Sequence, residues 1–207
     1  LATVTSKLQY VGPNPFFGLG VAPDRKNSEY YALYFLQGGL SLPSKIYYLD
    51  EGDKFKEIRS QYFDHLKNMM KLIGHSDEQA NDAATVILKI ETDLASNSRS
   101  RTELRDSEAN YNKMSFADAK ALSPNFNWDN FMEVIALEKP LEEVIVGQPE
   151  FYKAFNTMLE TYELEDLKTY LTWHHLNAMA SKLNKAIFDE HFDFFGRKLS
   201  GQQESQE

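Results

Sequence analysis

Histidines and carboxylates are the side chains here with the widest chemical reach, and their spacing limits what they can do. The five histidines are His65, His75, His174, His175 and His191. A helical zinc site sets two histidines four residues apart on one face, with a glutamate beside the first. No pair among the five has that spacing. His174 and His175 are adjacent, so on a helix they project about 100° apart and cannot jointly grip one ion. His174 is expected as packed or hydrogen-bonded core, and His175 as peripheral. A metal-dependent enzyme built on His174, His175 or His191 stands as an alternative. Among the carboxylates, Glu91 with Asp93 and Asp189 with Glu190 lie in helical stretches without an evident acid–base partner. Glu91 falls beside the apolar stripe of its helix. A buried glutamate needs a cation or hydrogen-bond donors, and a structural ion pair with Arg99, Arg101 or Arg105 is expected.

Other chemistries are absent. No Gly-x-Ser-x-Gly elbow occurs, and Gly18-Leu-Gly20 lacks the third glycine of a phosphate loop, which leaves close packing of a strand as its role. With 0 cysteines, thiol nucleophiles, disulfides and thiolate zinc sites are excluded. The segment from Glu133 to Asp166 carries nine acids against Lys139 and Lys153, which reads as solvated helix faces. Net charge is −9, from 22 basic and 31 acidic residues. That balance argues against a nucleic-acid or anionic-membrane partner. On these residues alone the chain offers no catalytic, cofactor-binding or metal-ligating site.

The elements follow from periodicity. Ten of the 17 glycines and prolines fall in the first 52 residues, so loop and strand are expected there and helix thereafter. Phe16–Val21 and Tyr30–Leu36 are apolar, aromatic-rich runs around Ala-Pro-Asp-Arg-Lys-Asn-Ser, predicting a β-hairpin with a longer loop. Neither run alternates cleanly, so both faces of the hairpin are expected to be covered. The Gly38–Pro43 turn cannot be regular structure and should pack on the hairpin. From Phe55 to Ile73 the apolar period becomes 3.6, with Gly74 as C-cap. Ser76 and Gln79 form a capping box opening a helix to Leu94. Further helices are predicted at Ser115–Ala121, Trp128–Leu137, Pro149–Tyr162, Leu164–Ala178 and Ile187–Leu199. Phe188, Phe192 and Phe195 make a stripe on the last, expected in the core.

The expected fold is mainly α: one multi-helix domain over 1–207 with a small antiparallel β-hairpin near the N-terminus. Residues 1–52 form its hairpin and loop-rich part, 53–201 its helical part and 202–207 a frayed tail. No apolar run approaches the roughly 20 residues of a membrane helix. The chain starts at Leu1 without a leader, and is expected to be an excised piece.

Several strings, in order along nearly the whole chain, carry a family resemblance. They are Asp24-Arg-Lys-Asn-Ser28 and Gln37-Gly-Gly-Leu-Ser-Leu-Pro-Ser-Lys-Ile-Tyr-Tyr-Leu49, then Arg105-Asp106 and Tyr111-Asn-Lys-Met114. Trp128, Trp173-His-His and Leu199-Ser-Gly201 follow. Together these resemble the N-terminal, non-catalytic region of the neprilysin, endothelin-converting enzyme and oligopeptidase O family of zinc metallopeptidases. The motif positions are Gly39, Leu40, Leu42, Pro43, Tyr47, Tyr48, Arg105, Asp106, Tyr111 and Asn112. The resemblance implies a helical cap lobe that faces a zinc domain across a cavity and limits substrate size. It implies zinc held by a His-Glu-x-x-His motif that these residues do not contain, so this chain alone is expected to be inactive. It implies the catalytic lobe of the same polypeptide and peptide substrates as partners, with no nucleic acid and no membrane contact by this segment. It also implies a periplasmic, cell-surface or secreted location, with a cytoplasmic one open to a bacterial member, and the lack of cysteine points to bacteria. A stand-alone helical module that binds peptide or protein without catalysis is the alternative.

Overall fold

The computed structural model describes residues 1–135 and 141–204. Its sheet begins at Phe17–Asp24 (β1) and Asn27–Gln37 (β2), which pair antiparallel from Phe17 opposite Gln37 to Pro23 opposite Tyr31. The hairpin is therefore longer than its apolar runs, and only Arg25 and Lys26 separate the strands. The Asp24 carboxylate holds that tight turn by accepting the Lys26 N–H at 2.9 Å, a local bond that short polar side chains make readily. Two more strands extend the sheet: Asn112–Ser115 (β3) and Glu143–Val146 (β4). The order is β1-β2-β4-β3, with β4 parallel to β2 and antiparallel to β3. Four-residue strands carry too little alternation to announce themselves in sequence.

The first 52 residues also contain a helix, Ala2–Val11 (α1), ending at Gly12 with φ 129°. The expectation of loop and strand throughout that quarter is thus corrected: the glycines and prolines begin only at Gly12 and say nothing about the residues before it. A single turn, Ile46–Leu49 (α2), follows the Gly-Gly loop. Then come Asp53–Leu72 (α3), Asp77–Ser96 (α4), Phe116–Ala121 (α5), Trp128–Ile135 (α6), Pro149–Thr161 (α7), Leu164–Met179 (α8) and Lys185–His191 (α9). The Ser76 capping box forms, with Gln79 N–H to Ser76 Oγ at 3.2 Å and Ser76 N–H to Gln79 Oε1 at 2.9 Å. Residues 136 and 137 of the helix expected after Trp128 lie outside the described residues.

Beyond α9 the chain continues through Phe192–Leu199 in wide π-helical turns. This changes which side chains face inward. Phe194 is the buried one, whereas Phe188, Phe192 and Phe195 are only half-buried, correcting the expected core stripe. One extra residue per turn rotates the register relative to a 3.6 spacing.

Two apolar clusters result. Under the sheet, Phe17 meets Phe126, Trp128, Phe131, Tyr152 and Phe155 with ring centroids 5.2–5.7 Å apart. Between α3, α4, α8 and the π-helical turns, Tyr62, Leu66, Met69, Ile87, Trp173 and Phe194 form the other. The hairpin leaves this core toward its tip, where Val21 and Tyr31 are 70% and 74% exposed. The expectation of two covered faces therefore fails for the outer half of the hairpin.

Candidate functional site

Leu94 and Glu91 lie on the face of α4 that looks toward α8 and the Gly38–Lys45 loop, and a buried polar network is centred there. Glu91 is fully buried. Tyr48 and Tyr62 each donate to its Oε2 at 2.8 Å, and Ser41 donates to its Oε1 at 2.6 Å. Trp173 Nε1–H in turn donates to Ser41 Oγ at 2.9 Å, and His174 Nε2 stands 3.5 Å from Glu91 Oε1. Burial first, and then the Glu91 carboxylate, push the Tyr48 and Tyr62 hydroxyls well above the ordinary tyrosine range, so both remain donors.

The expected arginine partners of Glu91 are elsewhere. Arg99 binds Glu150 through Nε at 2.6 Å and Nη2 at 3.1 Å, and Arg101 reaches the Pro43 carbonyl. Arg105 is exposed on a short 3₁₀ turn. These arginines follow the end of α4, about two turns or ~12 Å along the axis from Glu91. The hydroxyls are delivered by α2, α3 and the loop directly above the carboxylate, and a neutral donor costs less to bury than a guanidinium.

The motif positions divide into two groups. Gly39, Leu40, Leu42, Pro43, Tyr47 and Tyr48 shape the roof over Glu91. Leu42 N–H donates to Tyr48 Oη at 2.8 Å, and Tyr170 Oη donates to the Gly39 carbonyl at 2.7 Å. Tyr47 packs its ring edge-on against Phe55, and its carbonyl accepts from Arg59. Gly38 meets the backbone of β1 closely, since a Cβ there would lie 2.9 Å from the Phe17 carbonyl carbon.

The second group ties the 99–112 segment to the sheet. Asp106 Oδ1 accepts the Glu108 and Ala109 N–H groups. Tyr111 donates to Asp24 at 2.8 Å, and Asn112 Nδ2 donates to the Val146 carbonyl at 3.0 Å. The Lys26 N–H and the Tyr111 hydroxyl hold the Asp24 carboxyl below its usual range. Sequence reasoning missed the buried amides between the groups. Gln148 Nε2 donates to Asn110 Oδ1 at 2.6 Å, while Gln148 Oε1 accepts the Gln37 N–H at 2.8 Å. The one sequence signal for them was Gln148 ahead of Pro149 at a helix start.

His174 is buried and His175 exposed. His65 is buried with Nδ1 2.9 Å from Glu190 Oε1, and His191 Nε2 lies 3.0 Å from Asn177 Oδ1. No group of three His, Asp or Glu side chains able to hold a metal exists among the described residues. Burial, with the nearby His65 adding to it, pushes the His191 pKa down to about 4. The unfolded chain then binds the extra proton first, so stability is full above about pH 6.5 and falls as pH drops toward 4. With its solvent-exposed part discounted, this contribution is on the order of 2 kcal/mol. Denaturant unfolding at pH 7 and pH 4.5 should show a smaller acid loss in His191→Gln than in wild type. Equal losses would contradict this assignment.

Two surface concavities flank the network. One is a cleft of about 570 Å³ beneath the Gly38–Lys45 loop. The other is an apolar groove of about 510 Å³ between α1 and α8, walled by Leu1, Val4, Leu8, Leu164 and Leu171. Val4 and Leu164 are 49% and 53% exposed there. No helix among the described residues is long and apolar enough to cross a membrane. As a whole the arrangement is a scaffold whose buried polar groups mostly bind one another.

This scaffold has known counterparts. The model of the N-terminal part of peptidase family M13 matches residues 1–207, and the chain belongs to that family as an N-terminal domain. It is 31% identical over 180 residues to endothelin-converting enzyme 1 of Cavia porcellus, covering 85% of this chain and 24% of that protein. Neprilysin-3 of Drosophila melanogaster is 27% identical over 186 residues. The zinc metalloprotease ZMP1 of Mycobacterium tuberculosis, solved in complex with an inhibitor, superposes with a TM-score of 0.94 at 29% identity. That match covers 100% of this chain and 32% of the other. The chain thus spans about a quarter of the curated relatives it matches.

Proposed function

We propose that these 207 residues are the non-catalytic cap lobe of a zinc metalloendopeptidase that cleaves peptides, and that they restrict substrate size and shape the cavity. The observation that carries the reading is the superposition of the whole chain on one third of a zinc metalloprotease, at a TM-score of 0.94. The donors among the described residues do not fit zinc. His65 and His191 each have one ring nitrogen against Glu190 and Asn177, and no third ligand stands beside them among the described residues. We therefore assign zinc and the catalytic residues to another part of the whole polypeptide, and derive no catalytic step here.

Further support comes from the groove between α1 and α8. An apolar concavity rimmed by half-exposed leucine and valine suits a face that docks on a second lobe. The acceptors and donors around Glu91 meanwhile fix α3, α4 and α8 as one body, which suits a wall more than a moving catalytic part. A periplasmic, cell-surface or secreted location, and a bacterial source, belong to the same proposal.

The test is hydrolysis of a fluorogenic peptide by the whole polypeptide and by the 207-residue chain alone. Chelator-sensitive cleavage by the whole protein and none by the chain is the expected result. Cleavage by the chain alone, or a whole protein that binds no zinc, would overturn the proposal.

A further inference from the structure

The cleft beneath the Gly38–Lys45 loop departs from the charge of the rest of the molecule. In a chain of net charge −9, it is lined by Lys45, Arg99, Arg101 and His174 and by no aspartate or glutamate. Arg99 is already engaged by Glu150. After the Ser100 hydrogen bonds, the Lys45 ammonium helps from a distance to hold the Glu103 carboxyl below its usual range, but neither Lys45 nor Arg101 is in a salt bridge among the described residues. Lys45 Nζ donates to the Ser98 carbonyl at 2.6 Å, and Arg101 Nη2 donates to the Pro43 carbonyl at 3.3 Å. Neither has a carboxylate within 4.0 Å among the described residues. Each keeps free N–H donors, since an ammonium offers three and a guanidinium five. Glu103, an acid of the same segment, directs its carboxylate to the Ser100 N–H at 2.7 Å.

The loop supplies main-chain donors as well. The N–H groups of Gly39 and Leu40, two of the residues that line the cleft, have no acceptor among the described residues. His174, 7% exposed, also lines the cleft, but its Nε2 is buried and turned toward the Glu91 carboxylate at 3.5 Å. A buried donor without a partner is uncommon in a native protein and calls for a ligand or a water. Cations and unpaired amides around one cavity are together the donors an oxyanion requires.

We infer that this cleft is a subsite for a peptide carboxylate, and specifically for an Asp or Glu side chain presented by a peptide. The peptidase reading supplies the class of ligand, so the inference rests on it to that extent. In the cleft Lys45 and Arg101 hold the carboxylate, and the loop amides fix its orientation.

The experiment measures binding of Ac-Ala-Ala-Glu-Ala-NH₂, its Gln counterpart, and tetra-alanine with a free C-terminus to the full chain. The Glu peptide should bind about tenfold tighter than the Gln peptide, the scale of one charge-assisted contact. That preference should vanish in a Lys45→Glu, Arg101→Glu double variant and survive in Lys45→Arg. In wild type, which needs no variant to fold, the Gly39 and Leu40 amide resonances should shift with the Glu peptide. Equal binding of the Glu and Gln peptides, or amides that do not respond, would overturn the subsite. Binding of tetra-alanine alone would overturn the side-chain assignment. If the whole polypeptide hydrolyses neutral peptides without any acidic preference, the subsite fails while the peptidase reading stands. Acidic-peptide binding with no hydrolysis of any peptide leaves the subsite and removes that reading.

Discussion

Glu91→Ala should lower the domain's stability by about 3–5 kcal/mol, the scale seen when one partner of a buried charged cluster is removed. The substitution strands three hydroxyls, those of the buried Tyr48 and Tyr62 and of the partly buried Ser41. Each stranded donor keeps its desolvation penalty and gains nothing in return. The loss also reaches the loop, because Tyr48 Oη accepts the Leu42 N–H and Ser41 accepts from Trp173. For a domain of this size the melting temperature should fall by about 6–20 °C, at 2–4 °C per kcal/mol. Glu91→Gln, which keeps one acceptor oxygen and the volume, should recover part of the loss. Thermal and denaturant unfolding of both variants decide the matter. A loss below about 1 kcal/mol in Glu91→Ala would mean that the network relaxes onto other partners.

Gly39→Ala should cost about 2–5 kcal/mol, by combining left-handed backbone strain with overpacking. Gly39 has φ 79°, where a Cβ collides with the following carbonyl oxygen. The space beside it is also taken. A Cβ would sit 2.5 Å from Tyr170 Oη, 2.8 Å from Leu94 Cδ1 and 2.9 Å from Phe16 Cα. Tyr170 cannot simply swing away, because its hydroxyl donates to the Gly39 carbonyl and accepts the Phe16 N–H. Gly20→Ala, with nothing within 4 Å of its Cβ position, is the control and should change stability by about 1 kcal/mol or less. Comparable losses in the two variants would show that Gly39 is not a required close approach.

The sequence made the long helices legible because their apolar residues recur at helical spacing over three turns or more. α3, α4, α7 and α8 begin and end within about two residues of their apolar periodicity, helped by Ser76, Gly74 and Pro149. The short elements were not legible. α1 buries Ala2, Thr5 and Ser6 and leaves Val4, Tyr10 and Val11 exposed, and β3 and β4 are too brief for a period to develop. Their pairing is set by neighbours distant in the chain, β4 lying beside β2 about 110 residues away by the register of Tyr34 with Ile145.

The candidate site divides along the same line. Burial of Glu91 could be read from its place on the α4 stripe, and the Gly-Gly-Leu-Ser-Leu-Pro string could be read as a loop of special conformation. Its partners could not. The nearest cations in sequence were Arg99 and Arg101, whereas the donors in space were Ser41, Tyr48 and Tyr62.

What the sequence determined by itself was local. Periodicity set the helices, glycines set the turns, the lack of cysteine excluded thiol chemistry, and the ordered strings led to peptidase family M13. The tertiary structure decided which buried carboxylate meets which donor, and that one cleft of an acidic chain gathers Lys45, Arg99 and Arg101 without an aspartate or glutamate. The physical reason is reach. Periodicity and capping act over about four residues, whereas hydrogen-bond partners and cavities are fixed by side chains that meet only once the helices have packed.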